Sequence, residues 1–314
     1  MYMSNDNTPD VNIDVSTGRN NAKMKRTIFQ EIVALSKPRV IELLITTALP
    51  AMFFAAGGLP DGFKVIGVLV GGYLSAGSSN AINSIIEANT DKKMVRTRNR
   101  PMAQQRLTKK TAWIAAITAQ LASLIIMILL CNVLSALLTL FASFFYVVIY
   151  TIWLKPRTEQ NIVIGGAAGA LPVLIGYSAV TSNVSWGAFI MFLLVFLWTP
   201  PHFWALATYH EDDYRNAGFP MLPVTHTKKS TTFQMMLYTV LTVISSFVLI
   251  ATKNLGILYM IASIVLGLWF IYCSIILYVK ADSILRKKFY NFFHLSNGYL
   301  ALLFIVIAID STIS

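Results

Sequence analysis

The 314-residue chain is 56% hydrophobic and only 12% charged, with mean hydropathy +0.63, which excludes an ordinary soluble domain, where about a quarter of residues are charged. Its formal charge of +11 does not point to nucleic acid, because the basic residues sit in short loops between long apolar runs, where they set membrane orientation. Cys131 and Cys273 lie in separate apolar segments without metal-type spacing, so neither a disulfide framework nor a zinc site is indicated.

Residues 1–30 are polar, rich in Asn, Asp, Ser and Thr, and lack both an apolar core and a small-residue cleavage site, so they read as a disordered cytoplasmic tail rather than a signal peptide. Residues 31–314 read as one intramembrane domain. A hydrocarbon core of about 30 Å needs about 20 apolar residues per helix. Stretches of that kind recur at 39–58, 64–87, 111–131, 133–153, 161–181, 185–209, 232–251, 255–279 and 293–311. The expected fold is all-α: a polytopic membrane bundle of nine transmembrane helices.

Basic residues mark one side of this bundle. Arg19, Lys23, Lys25, Arg26, Lys37 and Arg39 precede the first span or open it, and Lys92 to Lys110 follow the second. Lys155 and Arg157, then Arg215, Lys228 and Lys229, then Lys280 and Arg286 to Lys288 fall on the same side, whereas only Lys64 and Lys253 fall on the other. The positive-inside rule therefore puts the N-terminus in the cytoplasm and, after nine crossings of the membrane, the C-terminus outside. The loops after the second and sixth spans are long, polar and cytoplasmic, and function is expected there.

The first of these follows NAINSIIEANTDKKMVRTRNRP, residues 80–101. Asn83, Glu87 and Asp91 are four residues apart, and each such step turns a helix by only about 40° from the last, so the three form a slanting row on one face. Oxygen donors in such a row suit a hard cation, and the Lys92, Lys93, Arg96, Arg98 and Arg100 that follow suit a polyanionic phosphate. A solvated helix end with a positive-inside loop is the competing reading.

The second is WTPPHFWALATYHEDDYRNAGFPMLPV, residues 198–224. Pro200 and Pro201 remove backbone donors and are expected to kink or split the sixth span beside His202. Tyr209 and Asp213 repeat the spacing of four, with His210, Glu211 and Asp212 between them. Two acidic clusters at the same membrane face can each hold a magnesium ion, and two such ions can clamp one diphosphate. A phosphate head at the membrane face with an apolar tail within describes an isoprenyl diphosphate. A transporter would place its ionisable groups near mid-membrane, whereas Glu42, Glu87 and Asp310 fall near predicted span ends.

At these residues the chain resembles the UbiA-type intramembrane prenyltransferases, over nearly its whole length after about residue 30. The KPRV at 37–40, NIVIGGAAGA at 161–170, PPHFW at 200–204 and DYRNAGFPMLPV at 213–224 resemble the haem-modifying branch of that family. Two positions depart from the family pattern: Glu87 and Asn89 stand where Asp is usual, and Tyr209 stands where the wider family has a carboxylate. The resemblance implies a nine-helix enzyme that joins farnesyl diphosphate to haem B, in the supply of modified haem to terminal oxidases. It implies Asn83, Glu87, Asp91 and Asp213 as catalytic magnesium ligands, and Arg96, Arg100, Lys155, Arg157 and Lys37 (with Arg39) as diphosphate partners, Lys37 and Arg39 serving a haem propionate as the alternative. It implies a haem contact for His202, with His210 next, and gives weaker claims to His226 and His294. Tyr146, Tyr150 and Tyr177 are candidates for stabilising an allylic cation through their π faces. Gly165, Gly166 and Gly169 form a small-residue face for close packing or a cavity. Membrane lipid is an expected partner, and a downstream haem A synthase or an oxidase assembly factor is a further one. An enzyme of the same family with a different aromatic acceptor, and a carrier without chemistry, are the rival readings.

Overall fold

The computed structural model describes residues 27–252 and 255–313, and of residues 39–44 only the backbone. Most of the tail expected over 1–30 therefore lies outside the described residues, as do Lys253 and the side chains of Arg39 and Glu42. The described residues form helices and no strand.

Thirteen helices follow in order. The short α1 (Ile28–Leu35) opens on a capping box, in which Thr27 accepts from the N–H of Gln30 and the Gln30 side chain accepts from that of Thr27. Then come α2 (Pro38–Ala56), α3 (Gly62–Ile86), the single turn α4 (Ala88–Asp91), α5 (Lys109–Leu130) and α6 (Val133–Phe144), which continues as a π-helical segment, Phe145–Leu154. They are followed by α7 (Asn161–Thr181), α8 (Trp186–Tyr209), the short α9 (Glu211–Ala217) and α10 (Leu222–Thr225), and then α11 (Lys228–Ile250), α12 (Ile257–Val279) and α13 (Arg286–Ile313). Among the described residues eight helices are long and apolar enough to cross a membrane, and the nineteen-residue α2, apolar over Ile45–Ala56, makes the ninth member of the bundle.

The turns are where the sequence places cappers. Asn132 accepts from the N–H of Ser135 at 2.8 Å and so starts α6 directly after α5, while its amide donates to the Ser178 carbonyl of α7 at 2.7 Å. Pro200 and Pro201 do not split the sixth span: α8 runs unbroken through both. The prolines have no N–H for the Phe196 and Leu197 carbonyls, a loss that membrane helices tolerate where neighbouring groups or local adjustments re-satisfy the backbone; just before them the Thr199 hydroxyl bonds back to the Val195 carbonyl at 2.9 Å.

Neighbouring helices close a ring, α2–α3–α5–α6–α7–α8–α11–α12–α13 and back to α2, with α7 also packed on α2 and α13 on α8. Trp204, Tyr259, Phe270, Phe289, Tyr299 and Phe304 fill its interior, while Leu121, Leu129, Val265 and Leu268 point outward. An apolar exterior around a core knitted by hydroxyl-to-carbonyl bonds, such as Ser123 of α5 to the Gly71 carbonyl of α3 at 2.7 Å, is the arrangement lipid favours.

Candidate active site

The expected row of oxygen donors is present, but a helix break runs through it. Asn83 lies in the last turn of α3, Glu87 is the junction residue, and Asp91 ends α4. The i to i−4 hydrogen bonds carry through the junction, Glu87 N–H to the Asn83 carbonyl at 2.9 Å and Asp91 N–H to the Glu87 carbonyl at 2.8 Å. All three side chains are buried, as the wet end of a surface helix would not be.

Each donor meets a cation from another part of the chain. Lys37 Nζ donates to Asn83 Oδ1 at 2.8 Å, Lys155 Nζ to Glu87 Oε1 at 2.5 Å, and Arg100 Nη1 to both oxygens of Asp91 at 2.8 and 2.9 Å. Lys37 reaches Asn83 from a left-handed backbone conformation (φ 54°), which costs a non-glycine residue about 1 to 2 kcal/mol. Its burial, with Arg100 the next cause, brings the ammonium pKa down to about 7. Lys155 also lies 4.6 Å over the Phe219 ring. Arg157 is placed elsewhere: its guanidinium donates to the carbonyls of Ile152 and Trp153 and so closes the end of its own helix. Arg106 ties the loop after α4 to α1, bonding buried Glu31 at 2.7 Å and the Asn99 carbonyl at 2.9 Å.

The second motif repeats this construction, a span (α8), a one-residue break at His210, and a short helix (α9) carrying Asp213. Although α3 and α8 stand four places apart in the ring, the loop after α4 crosses to α9. The Asp213 carboxylate accepts the N–H of Val95 at 3.1 Å and that of Arg96 at 3.2 Å. Next to it, buried Tyr214 accepts from Arg96 Nη2 at 3.3 Å, and burial raises the pKa of its phenol. Asp212 is paired instead with Arg286 of α13, which holds its carboxyl below the usual range.

A cavity of about 330 Å³ opens beside this contact, lined by Val95, Arg96, Tyr209, His210, Asp212 and Asp213. Of the two histidines expected to meet haem, only His210 lines it; burial, with Arg96 the next cause, lowers its pKa. His202 is in the seam between α8 and α13, its ring stacked between Trp198 at 4.1 Å and Phe293 at 4.4 Å. Its Nδ1 lies 2.7 Å from Ser296 Oγ, and because that hydroxyl already donates to the Phe293 carbonyl, Nδ1 is the donor and Nε2 keeps the lone pair. His294 lies edge-on to Tyr290, whereas His226 pairs with Glu159.

The π-helical segment turns Tyr146, Tyr150 and Thr151 toward the first motif. Its wider turn is visible where Lys155 N–H bonds the Tyr150 carbonyl five residues back at 2.9 Å. Thr151 accepts from the Asn83 amide at 3.1 Å, and Tyr146 donates to Asn80 Oδ1 at 3.4 Å. Tyr150 stacks on Tyr146 and presses against α7 at Gly165, where a Cβ would stand 2.3 Å from its ring. Gly165 thus serves close packing, while Gly169 faces open space. Tyr177 packs against Phe54, away from this group.

Among the described residues no three His, Cys, Asp or Glu side chains converge as a protein-only metal cage. That fits magnesium, which is commonly held by one or two carboxylates while substrate phosphates and water complete its shell. The hard oxygens of Asn83, Glu87 and Asp91, buried among lysine and arginine heads, are a donor set of that kind.

A family model, the UbiA prenyltransferase family, matches residues 44–297. The chain belongs to that family. This UbiA-family protein is 46% identical over 278 residues to the protoheme IX farnesyltransferase of Clavibacter sepedonicus, covering 88% of this chain and 91% of that one. Among solved structures it is similar to a digeranylgeranylglyceryl phosphate synthase, with TM-score 0.76, 16% identity and coverage of 91% of this chain and 99% of that one. It is also similar to a UbiA homolog from Archaeoglobus fulgidus bound to GPP and Mg2+, with TM-score 0.63, 16% identity and coverage of 90% and 100%. These structures support the fold. Tyr214 and Thr151 join this group through Arg96 and Asn83 without any motif that marks them in the sequence, Tyr214 being signalled only as an aromatic directly after Asp213 in a polar stretch.

Proposed function

We propose that this protein transfers the farnesyl group of farnesyl diphosphate to a vinyl group of haem B, the reaction of a haem O synthase. The C–O bond of the diphosphate breaks with its electron pair leaving on oxygen, and the vinyl π pair forms the new C–C bond. Water then adds to the neighbouring carbon and loses a proton, completing the hydroxyethylfarnesyl group. The observation that carries this reading is the meeting of the two motifs, with Asp213 bonded to the loop that follows Asp91.

In this reading Asn83, Glu87, Asp91 and Asp213 hold magnesium together with the diphosphate. Magnesium, when bound, supplies positive charge against the departing diphosphate. Lys37, Arg96, Arg100 and Lys155 supply the rest from the protein, already positioned within a few ångströms of the donors they now pair with. Arg157, engaged at its helix end, is left out. The stacked Tyr146 and Tyr150 rings offer π faces to the allylic cation and shield it from water. His210, on the cavity, is assigned to haem, and His202 supports the α8–α13 seam behind it.

In this reading the mouth and the N-terminus face the cytoplasmic side of a bacterial inner membrane and the C-terminus lies outside, which the distribution of basic loops supports. Haem O made there is passed to a downstream haem A synthase or oxidase assembly factor. Incubating the purified protein with haem B, farnesyl diphosphate and magnesium tests the reading. Mass analysis of the pigment is expected to find haem plus farnesyl plus hydroxyl; unchanged haem beside a farnesylated aromatic of another class would overturn the acceptor assigned here.

A further inference from the structure

We infer that two consecutive residues of α9, Asp213 and Tyr214, aim Arg96 at the diphosphate, which makes Tyr214 a positioning residue for the leaving group. The inference rests on the farnesyl-diphosphate reading above and adds to it a role for a residue with no carboxylate and no charge.

Asp213 Oδ2 accepts the backbone N–H of Arg96 at 3.2 Å, and the Tyr214 hydroxyl accepts from the guanidinium of the same arginine at 3.3 Å. One short helix thus grips one arginine at both ends. Arg96 is otherwise exposed, on a loop, and an exposed arginine samples many rotamers at a cost of about 2 kcal/mol when it is fixed. Tyr214 can fix it because its own ring is 2% exposed and packed in the main core.

The chemistry of the partner matters. Arg100 and Lys155 are held by carboxylates, which cancel their charge, whereas the Tyr214 oxygen is neutral and leaves the Arg96 charge undiminished. A guanidinium has five N–H donors in a fixed fork, so one spent on Tyr214 leaves the others for phosphate oxygens. Arg96 lines the cavity beside Asp213, where those donors are accessible. α9 is itself anchored to α13, where Arg286 bridges Asp212 at 3.2 Å and Glu211 at 3.6 Å.

The test is the binding of inorganic pyrophosphate with magnesium to the full-length protein in lipid nanodiscs, read by calorimetry. It is paired with separate KM values for farnesyl diphosphate and haem B, and with a melting temperature. Tyr214→Phe, which keeps the ring and removes the oxygen, is expected to weaken pyrophosphate about tenfold, as loss of one hydrogen bond to a charged group does. It is expected to raise KM for farnesyl diphosphate and leave KM for haem B and the melting temperature unchanged. In an Arg96→Ala background the same change is expected to add nothing. Unaltered pyrophosphate affinity in Tyr214→Phe, or losses that multiply in the double variant, would overturn the inference while the unsubstituted protein's binding still upholds the parent reading. Failure of the unsubstituted protein to bind pyrophosphate overturns both. Should Tyr214→Phe not fold, Arg96→Lys decides: charge without the fork is expected to bind as weakly as Arg96→Ala, and full affinity would rule the aiming role out.

Discussion

Asp213 accepts the backbone N–H of Arg96 at 3.2 Å, a contact between residues 117 positions apart in the chain. It joins the short helix after the sixth span to the loop after the second, so that two polar segments from separate parts of the bundle roof one mouth. The carboxylate has lone pairs beyond the two it gives to Val95 and Arg96, which lets it hold the loop and remain an oxygen donor toward the mouth.

Asp91→Asn is expected to lower product formation on the order of 10²-fold or more, with the protein still folded. The amide keeps the shape but loses the charge that Arg100 reads and that a hard cation prefers. Quantifying farnesylated haem by mass, beside circular dichroism of the variant, checks it; near-normal turnover would remove Asp91 from the chemistry.

Lys155→Met strands a buried carboxylate, Glu87 being 7% exposed at its side chain. Breaking such a pair from one side costs about 3 to 5 kcal/mol. The melting temperature of the variant is expected to fall clearly and to recover in Glu87→Gln/Lys155→Met, which stays inactive. Restored stability with no restored activity separates folding from function at this pair.

Gly165→Ala places a methyl 2.3 Å from the Tyr150 ring, so the ring must move. A stability loss of about 1 to 3 kcal/mol is expected, with slower turnover and unchanged pyrophosphate binding. Gly169→Ala, which meets open space, is the control and is expected to be silent in melting experiments.

Much of this architecture is legible in the residues themselves. Apolar runs of the right length mark the nine members of the ring. The break at Glu87 is not legible, since nothing in IIEANTD interrupts helical spacing. The π-helical turn at Phe145–Leu154 is invisible in an unbroken apolar run, although it decides that Tyr150 and Thr151 face the first motif. Pro200 and Pro201 leave the sixth span unsplit, because in a packed membrane bundle neighbouring helices, side chains and local adjustments re-satisfy the backbone groups that proline frees. The seat of His202 between the Trp198 and Phe293 rings is not legible either, since it depends on how α13 packs against α8.

The most direct measurement is a calorimetric titration of magnesium pyrophosphate into the unsubstituted protein, Asp91→Asn and Asp213→Asn, each with and without chelator. One binding event is expected in the unsubstituted protein, lost with chelator and lost or severely weakened in both variants. Undiminished binding in Asp213→Asn, or binding that ignores the chelator, would contradict a diphosphate held jointly by the two motifs.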